Sequence, residues 1–326
     1  METFTDKIIR KVISKKSHVV VGLDPVYDLF PKDIKNKFGK DLNGISDAIF
    51  EFNCQLIDAI YDLVPVIKPQ VAFYERYGLK GMEALYKTIK YARQKGLLII
   101  EDAKKNDIAS TAKAYSDGHI GKVHINDKHP VSVIDIDALT VNPLLGSDGI
   151  LPFVKDVVTY GKGIFVLVKT SNPSSVEIQD LNVISEGKER KIFEIIAKLV
   201  DKWGASSIGK EGYSSVGAVV GATYPHEARI LRKLMPKTYF LVPGYGTQGG
   251  TSSDVIHFFN DDGLGALISA SRSINYAYKT DGGSIENNIS IAARKAVTAM
   301  NAGIERELKL VGLCRWDVST PPKVRL

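Results

Sequence analysis

Short apolar runs recur along the chain, each bounded by turn residues: 18–25 (HVVVGLDP), 63–70 (LVPVIKPQ), 96–104 (GLLIIEDAK) and 138–143 (ALTVNP). Four more follow at 163–171 (GIFVLVKTS), 216–223 (VGAVVGAT), 239–246 (YFLVPGYG) and 264–273 (LGALISASRS). They are rich in Val, Ile and Leu without strict alternation, the pattern of parallel strands buried on both faces. Between them lie amphipathic stretches at 45–63, 81–95, 191–203 and 225–234. In the first of these, Ile49, Phe52, Ile57 and Ile60 line one side of a helix. Eight strands alternating with helices predict an α/β chain folded as a (β/α)8 TIM barrel. An open doubly wound sheet is the competing arrangement, but no G-x-G-x-x-G fingerprint follows the first strand.

No linker, low-complexity tract or repeat divides the chain. The expectation is one catalytic domain over 1–326, with an N-terminal helix and a C-terminal extension packed on it. Two connections, 117–136 and 172–188, are longer than a barrel needs. The second follows the fifth strand, where functional loops gather; the first precedes the fourth strand and reads as plain insertion.

The 326 residues are 44% hydrophobic, 25% charged and 9% aromatic, which excludes disorder and collagen-like repeats. No apolar run approaches the length of a spanning helix, so no membrane association is expected. The first residues (METFTDKIIRKVISKKS) lack the apolar core of a secretory signal, and Glu2 and Asp6 argue against a transit peptide. The expected location is cytoplasmic. Cys54 and Cys314 form neither a disulfide framework nor a metal-ligand pair. His119, His124 and His129 are each five apart, which matches no zinc pattern and leaves them surface or loop roles. The net charge of +6 favours anionic ligands. Its charges are interleaved, as in EGKERK at 186–191, without a basic-aromatic stripe, so no nucleic-acid partner is expected.

Active sites of such barrels lie at the C-terminal strand ends. The sharpest pattern there is EDAKKNDI at 101–108. Asp102 and Lys104, two apart on a strand, project from one face, and Glu101 and Ala103 then face the helices. Asp107 falls on the following loop or at a helix N-cap. Lys68 ends the neighbouring second strand, giving an alternating row of ammonium and carboxylate groups. A lysine among carboxylates stays protonated. It is a poor Schiff-base nucleophile, but it suits stabilising a carbanion and then donating a proton. An exposed ion-pair ladder leaves the same pattern, with little gain in stability.

Two late segments suggest an anion site: PGYGTQGG at 243–250, with Pro243, Gln248 and Gly249, and SASRS at 269–273, with Arg272. Glycine turns let backbone N–H groups approach phosphate oxygens, and arginine grips them bidentately. Thr170 and Ser171 offer groups suited to the edge of a base, although Ser-Asn-Pro is also an ordinary turn. Asp24 in VGLDP is either an acceptor for a sugar hydroxyl or a turn opener.

These segments together resemble the orotidine 5′-phosphate decarboxylase family, in its longer-chain branch. The likeness runs from VGLDP through KPQVAFYE, Asp-x-Lys-x-x-Asp, TSNPSS and PGYGTQGG to SASRS. It implies cofactor-independent, metal-free decarboxylation of orotidine 5′-phosphate to uridine 5′-phosphate in pyrimidine biosynthesis. By the resemblance, Lys104 faces the carbon that loses its carboxylate and protonates it, with Asp102 beside the departing group. Lys68 and Asp24 hold ribose hydroxyls. Thr170 and Ser171, with Gln70 nearby, read the pyrimidine; Gln248 and Arg272 bind the 5′-phosphate, beside Pro243 and Gly249. Asp107 and Thr111 come from the second subunit of a homodimer. The alternative is a metal-assisted sugar-phosphate lyase or decarboxylase on a related barrel. TSNPSS and KPQVAFYE favour the nucleotide.

Overall fold

The computed structural model describes residues 1–125, 129–246, 249–279 and 288–317. Each of the eight apolar runs forms a strand: β1 (Val19–Leu23), β2 (Val66–Pro69), β3 (Leu98–Lys105), β4 (Ala138–Val141), β5 (Gly163–Lys169), β6 (Ser214–Val220), β7 (Thr238–Pro243) and β8 (Ala266–Ala270). All pair in parallel with their chain neighbours, and β1 closes the ring by pairing with β8, Val19–Val21 facing Ile268–Ala270. Asp24, Thr170, Ser171 and Arg272 lie just past their strands, in the loops of the barrel mouth, whereas Lys68, Asp102 and Lys104 are themselves strand residues. β6 begins two residues earlier than expected. Its buried Ser214 is satisfied by donating to the Gly204 carbonyl at 3.0 Å, so a polar residue opens an interior strand.

The strand residues divide into two apolar layers. Val20, Val66, Ile100, Ala138, Phe165, Tyr239 and Leu267 fill the barrel interior. Val19, Val21, Ile67, Ile99 and Leu139 face outward and belong to the same apolar layer as Ile49, Phe52 and Ile57 of the helix Leu42–Ile60. The helix Pro225–Leu234 has the bounds expected from its periodicity.

The N-terminal helix Phe4–Lys15 lies across the end of the barrel where the strands begin. Phe4, Ile8, Ile9 and Val12 belong to the interior layer, and the Phe4 ring meets Phe165 edge-on at 5.9 Å. A Cβ on Gly163 would lie 2.4 Å from the Phe4 ring, so only glycine at the start of β5 lets the helix sit this deep. At the other terminus, Trp316 stacks on the buried His18 at 5.2 Å.

Both long connections carry small hairpins. Residues 117–136 contain the end of the helix Ala109–His119 and the pairing of Val123–His124 with Pro130–Val131. Residues 172–188 begin with the 3-10 turn Pro173–Glu177 and run into the hairpin of Asn182–Ser185 with Lys188–Lys191. Glu186 and Gly187 turn that hairpin with φ of 53° and 71°. His119 departs from its expected surface or loop role. It sits at the end of its helix, and its Nδ1 lies 2.5 Å from Oε2 of the buried Glu101, which does face the helical layer. His124 and His129 are exposed. Among the described residues, no helix is long and apolar enough to cross a membrane.

Candidate active site

The inward alternation of β3 continues past its apolar part, so Ile100 is followed on the same face by Asp102 and Lys104. The register with β4 then breaks: Glu101 pairs with Leu139, but the next pair is Lys105 with Val141. The slack is taken up in the β3 backbone, where Lys104 adopts φ of 50°. A side-chain residue in this left-handed region costs about 1–3 kcal/mol, a strain that persists only where surrounding contacts impose it. Here the Lys104 N–H, displaced from the ladder, donates to Thr140 Oγ1 at 2.9 Å.

Asp102 collects four donors. Its Oδ2 accepts from Lys68 Nζ at 2.7 Å and from Gln70 Nε2 at 3.2 Å. Its Oδ1 accepts from Lys104 Nζ at 2.6 Å and from Thr140 Oγ1 at 2.9 Å. Burial alone would raise the Asp102 carboxyl, but the charges of Lys68 and Lys104 outweigh it and hold the group well below the usual carboxylate range. Lys68 is likewise buried, which disfavours its charge. The carboxylates of Asp102 and Asp24 reverse that, and the amine stays above the ordinary lysine value. Lys104 differs in exposure: 44% of its side chain is accessible, against 6% for Lys68. One ammonium is therefore buried within the row, and the other reaches further into the open space.

Asp24 sits at the far end of the row. Burial raises its carboxyl, with Lys68 opposing, and Oδ1 has no hydrogen-bond partner among the described residues. Tyr276 fixes its backbone by donating from the hydroxyl to the Asp24 carbonyl at 2.9 Å. A Cβ on Gly22 would fall 2.0 Å from Ser271 Oγ, so glycine is what admits Ser271 beside Asp24.

These groups line one wall of a cavity of about 490 Å³ at the barrel mouth, a size suited to a small molecule. Leu167, Val219 and Leu241 contribute apolar surface to it, and Thr170, Ser171 and Asn172 another wall. Thr170 is held in place by Gln179, which accepts from its N–H at 2.9 Å and donates to its hydroxyl at 2.8 Å. Beneath them the fully buried Lys169 pairs with Asp180 at 2.8 Å and lies 4.4 Å from the centre of the Tyr224 ring. A cation so desolvated needs such partners, and they tie both ends of the Thr170–Asp180 loop together.

Pro243, Gly244, Tyr245 and Arg272 complete the rim. The Arg272 side chain makes no ion pair among the described residues and is exposed. Gly249 has φ of 96° and lines an adjoining groove with Gly246 and Gly250, outside the main cavity. Gln248 lies outside the described residues. Asp107 and Thr111 do not line the cavity of their own chain. Asp107 accepts the N–H of Ile108 at 2.8 Å, and Thr111 is exposed. Among the described residues, no group of three or more His, Cys, Asp or Glu side chains is placed to hold a metal ion.

A fixed carboxylate between two ammonium groups, facing an open space with a cationic rim, is a preorganised field for an anionic ligand that develops further charge. Comparison with known proteins gives that site a family. Residues 17–281 match the model of the orotidine 5′-phosphate decarboxylase / HUMPS family. The chain belongs to this family. The curated orotidine 5′-phosphate decarboxylase of Caldicellulosiruptor bescii is 40% identical over 309 residues, covering 93% of this chain and 100% of that protein. That of Rhodopirellula baltica is 42% identical over 305 residues, 92% of this chain and 98% of its own. The solved structure of Leishmania donovani OMP decarboxylase superposes with a TM-score of 0.69 at 28% identity, covering 93% and 99% of the two chains.

For this family member, the structure adds residues that sequence reasoning missed. Thr140 is fully inside, two residues after the inward Ala138, and the period of two along β4 is a signal that would have found it. Lys169, Gln179 and Asp180 act behind the wall. Nothing in their spacing announces that role.

Proposed function

We propose that the chain decarboxylates orotidine 5′-phosphate to uridine 5′-phosphate, a step of pyrimidine biosynthesis, as a single catalytic barrel domain working in the cytoplasm. The observation that carries the reading is Lys104 Nζ at 2.6 Å from Asp102 Oδ1, on the open side of a cavity whose rim carries Arg272. In the reaction the bond from ring carbon C6 to the carboxylate breaks, and carbon dioxide leaves. The electron pair stays on C6, in the ring plane, where the ring cannot delocalise it. The Lys104 ammonium stabilises this carbanion and gives it a proton; water then returns a proton to the amine. Asp102 holds that ammonium in place, beside the departing carboxylate. Lys68 and Asp24 take the ribose hydroxyls, a role supported by the unpartnered Asp24 Oδ1.

Thr170 and Ser171, with Gln70 nearby, face the pyrimidine, while Arg272, Pro243, Gln248 and Gly249 hold the phosphate. The total barrier reduction asked of such a site is on the order of 20 kcal/mol. Preorganised charge supplies part of it, and binding energy from the remote phosphate contributes as well. Asp107 and Thr111 act in the cavity of a second subunit. Exposed Ile108, Leu144 and Leu145 support a homodimer contact at this rim.

Purified protein incubated with orotidine 5′-phosphate and a chelator tests the reading through loss of the orotate absorbance. Turnover that persists with chelator is the expected result. No turnover by folded protein overturns the proposal, and turnover that stops on chelation moves the chain toward metal-assisted chemistry.

A further inference from the structure

We infer that Thr140 is a positioning residue for this reaction, its hydroxyl linking the backbone of Lys104 to the carboxylate of Asp102. The inference rests on the decarboxylase reading and deepens it. Thr140 is 1% exposed, on β4, directly opposite the stretch of β3 where the ladder is broken. A hydroxyl has one proton. Because Thr140 Oγ1 accepts the Lys104 N–H at 2.9 Å, its own proton points away from that donor, to Asp102 Oδ1 at 2.9 Å.

Asp102 Oδ1 in turn accepts Lys104 Nζ at 2.6 Å. The three contacts form a closed circuit from the main chain of Lys104 to the tip of its own side chain. Lys104 is held at φ of 50° at one end and at its amine at the other, through two side chains, Thr140 and Asp102. Gln70 and Lys68 fill the opposite oxygen of Asp102, so the carboxylate cannot rotate to replace a lost Thr140 donor without giving up one of theirs. Valine has nearly the same shape and would fit an otherwise apolar strand. The hydroxyl is therefore the informative part of the side chain.

The test compares Thr140→Ser with Thr140→Ala, which both lack the methyl group and differ only in the hydroxyl, with Thr140→Val as a shape control. Steady-state kinetics and direct binding of uridine 5′-phosphate are measured alongside the wild-type protein. The expected result is a kcat for T140A and T140V about 10- to 100-fold below that of T140S, the scale of a small misplacement of a reacting group. KM and product affinity should agree within about threefold among the variants, because the phosphate and base contacts are untouched.

Equal kcat for T140S and T140A overturns the inference. So does a parallel loss of kcat and product affinity, or failure of both T140A and T140V to fold, since each means that the hydroxyl serves the fold alone. A wild-type protein without activity overturns the decarboxylase reading and this inference with it. An active wild type with any of the contrary variant results overturns only the role of Thr140.

Discussion

Lys68 and Lys104 approach the same carboxylate from opposite oxygens, at 2.7 Å and 2.6 Å from Asp102, yet one amine is buried and the other stands in the cavity. The buried partner keeps Asp102 ionised, and Asp102 keeps the exposed amine directed. With Asp24 beyond Lys68, two positive and two negative groups alternate along one wall before any ligand arrives. Such a wall needs no reorganisation when charge develops in front of it.

Lys104→Ala should lower kcat by at least about a thousandfold, at the upper end of what removal of one electrostatic contact costs. The circular dichroism spectrum and thermal midpoint should stay close to wild type, because the Lys104 side chain is partly exposed and Asp102 keeps Lys68, Gln70 and Thr140 as donors. Turnover near the wild-type rate would remove Lys104 from the chemistry.

Asp102→Asn should act on stability as well as rate. It leaves the nearly inaccessible Lys68 with Asp24 as its remaining carboxylate, and breaking a buried pair in this way costs about 3–5 kcal/mol. Urea unfolding measures it. The double variant Lys68→Met, Asp102→Leu, which removes both charges, should be less destabilised than the sum of the single changes; additive losses would mean that the pair is not coupled.

Arg272→Ala should raise KM for the nucleotide about 10- to 100-fold, the worth of a charge-assisted phosphate contact. The same change should leave kcat/KM for the unphosphorylated nucleoside unaltered. If both substrates suffer alike, Arg272 does not meet the phosphate.

His18 predicts a pH dependence at the opposite end of the barrel. Burial pushes its imidazole down to about 3, and neither ring nitrogen has a hydrogen-bond partner among the described residues. The folded protein therefore keeps it neutral while the unfolded chain binds a proton below about 6.5. Stability from this site is complete above the unfolded value and is lost as pH falls from there toward 3. The loss is about 1.4 kcal/mol per pH unit, or about 2 kcal/mol by pH 5. His18→Phe keeps the ring packing on Phe259 and Trp316 and should flatten that part of the stability profile. Unfolding curves of the two proteins between pH 7 and 4 decide it; parallel profiles would refute the prediction.

The barrel was legible because strands buried on both faces leave apolar runs that no surface segment imitates. Asp102 and Lys104 were legible for a related reason: the period of two carries a polar pair inward as surely as it carries Ile100. The φ of Lys104 was hidden, since no glycine marks it. Thr140 was passed over because one hydroxyl among aliphatic neighbours looks like ordinary strand composition, although the period of two that carries Ala138 inward carries it too. Lys169 read as the end of an apolar run, and its partner Asp180 lies eleven residues on, across a turn and short of a hairpin. His119 was assigned outward by spacing along the chain, whereas its partner Glu101 belongs to the preceding strand.

The helix Phe4–Lys15 wedges its aromatic and aliphatic face into the end of the barrel opposite the charged row. Below the charged groups the barrel is thus stoppered with hydrocarbon, and traffic belongs to the upper doorway. Carbon dioxide and the finished nucleotide share that exit, so the gas leaves through the same mouth that admits the substrate.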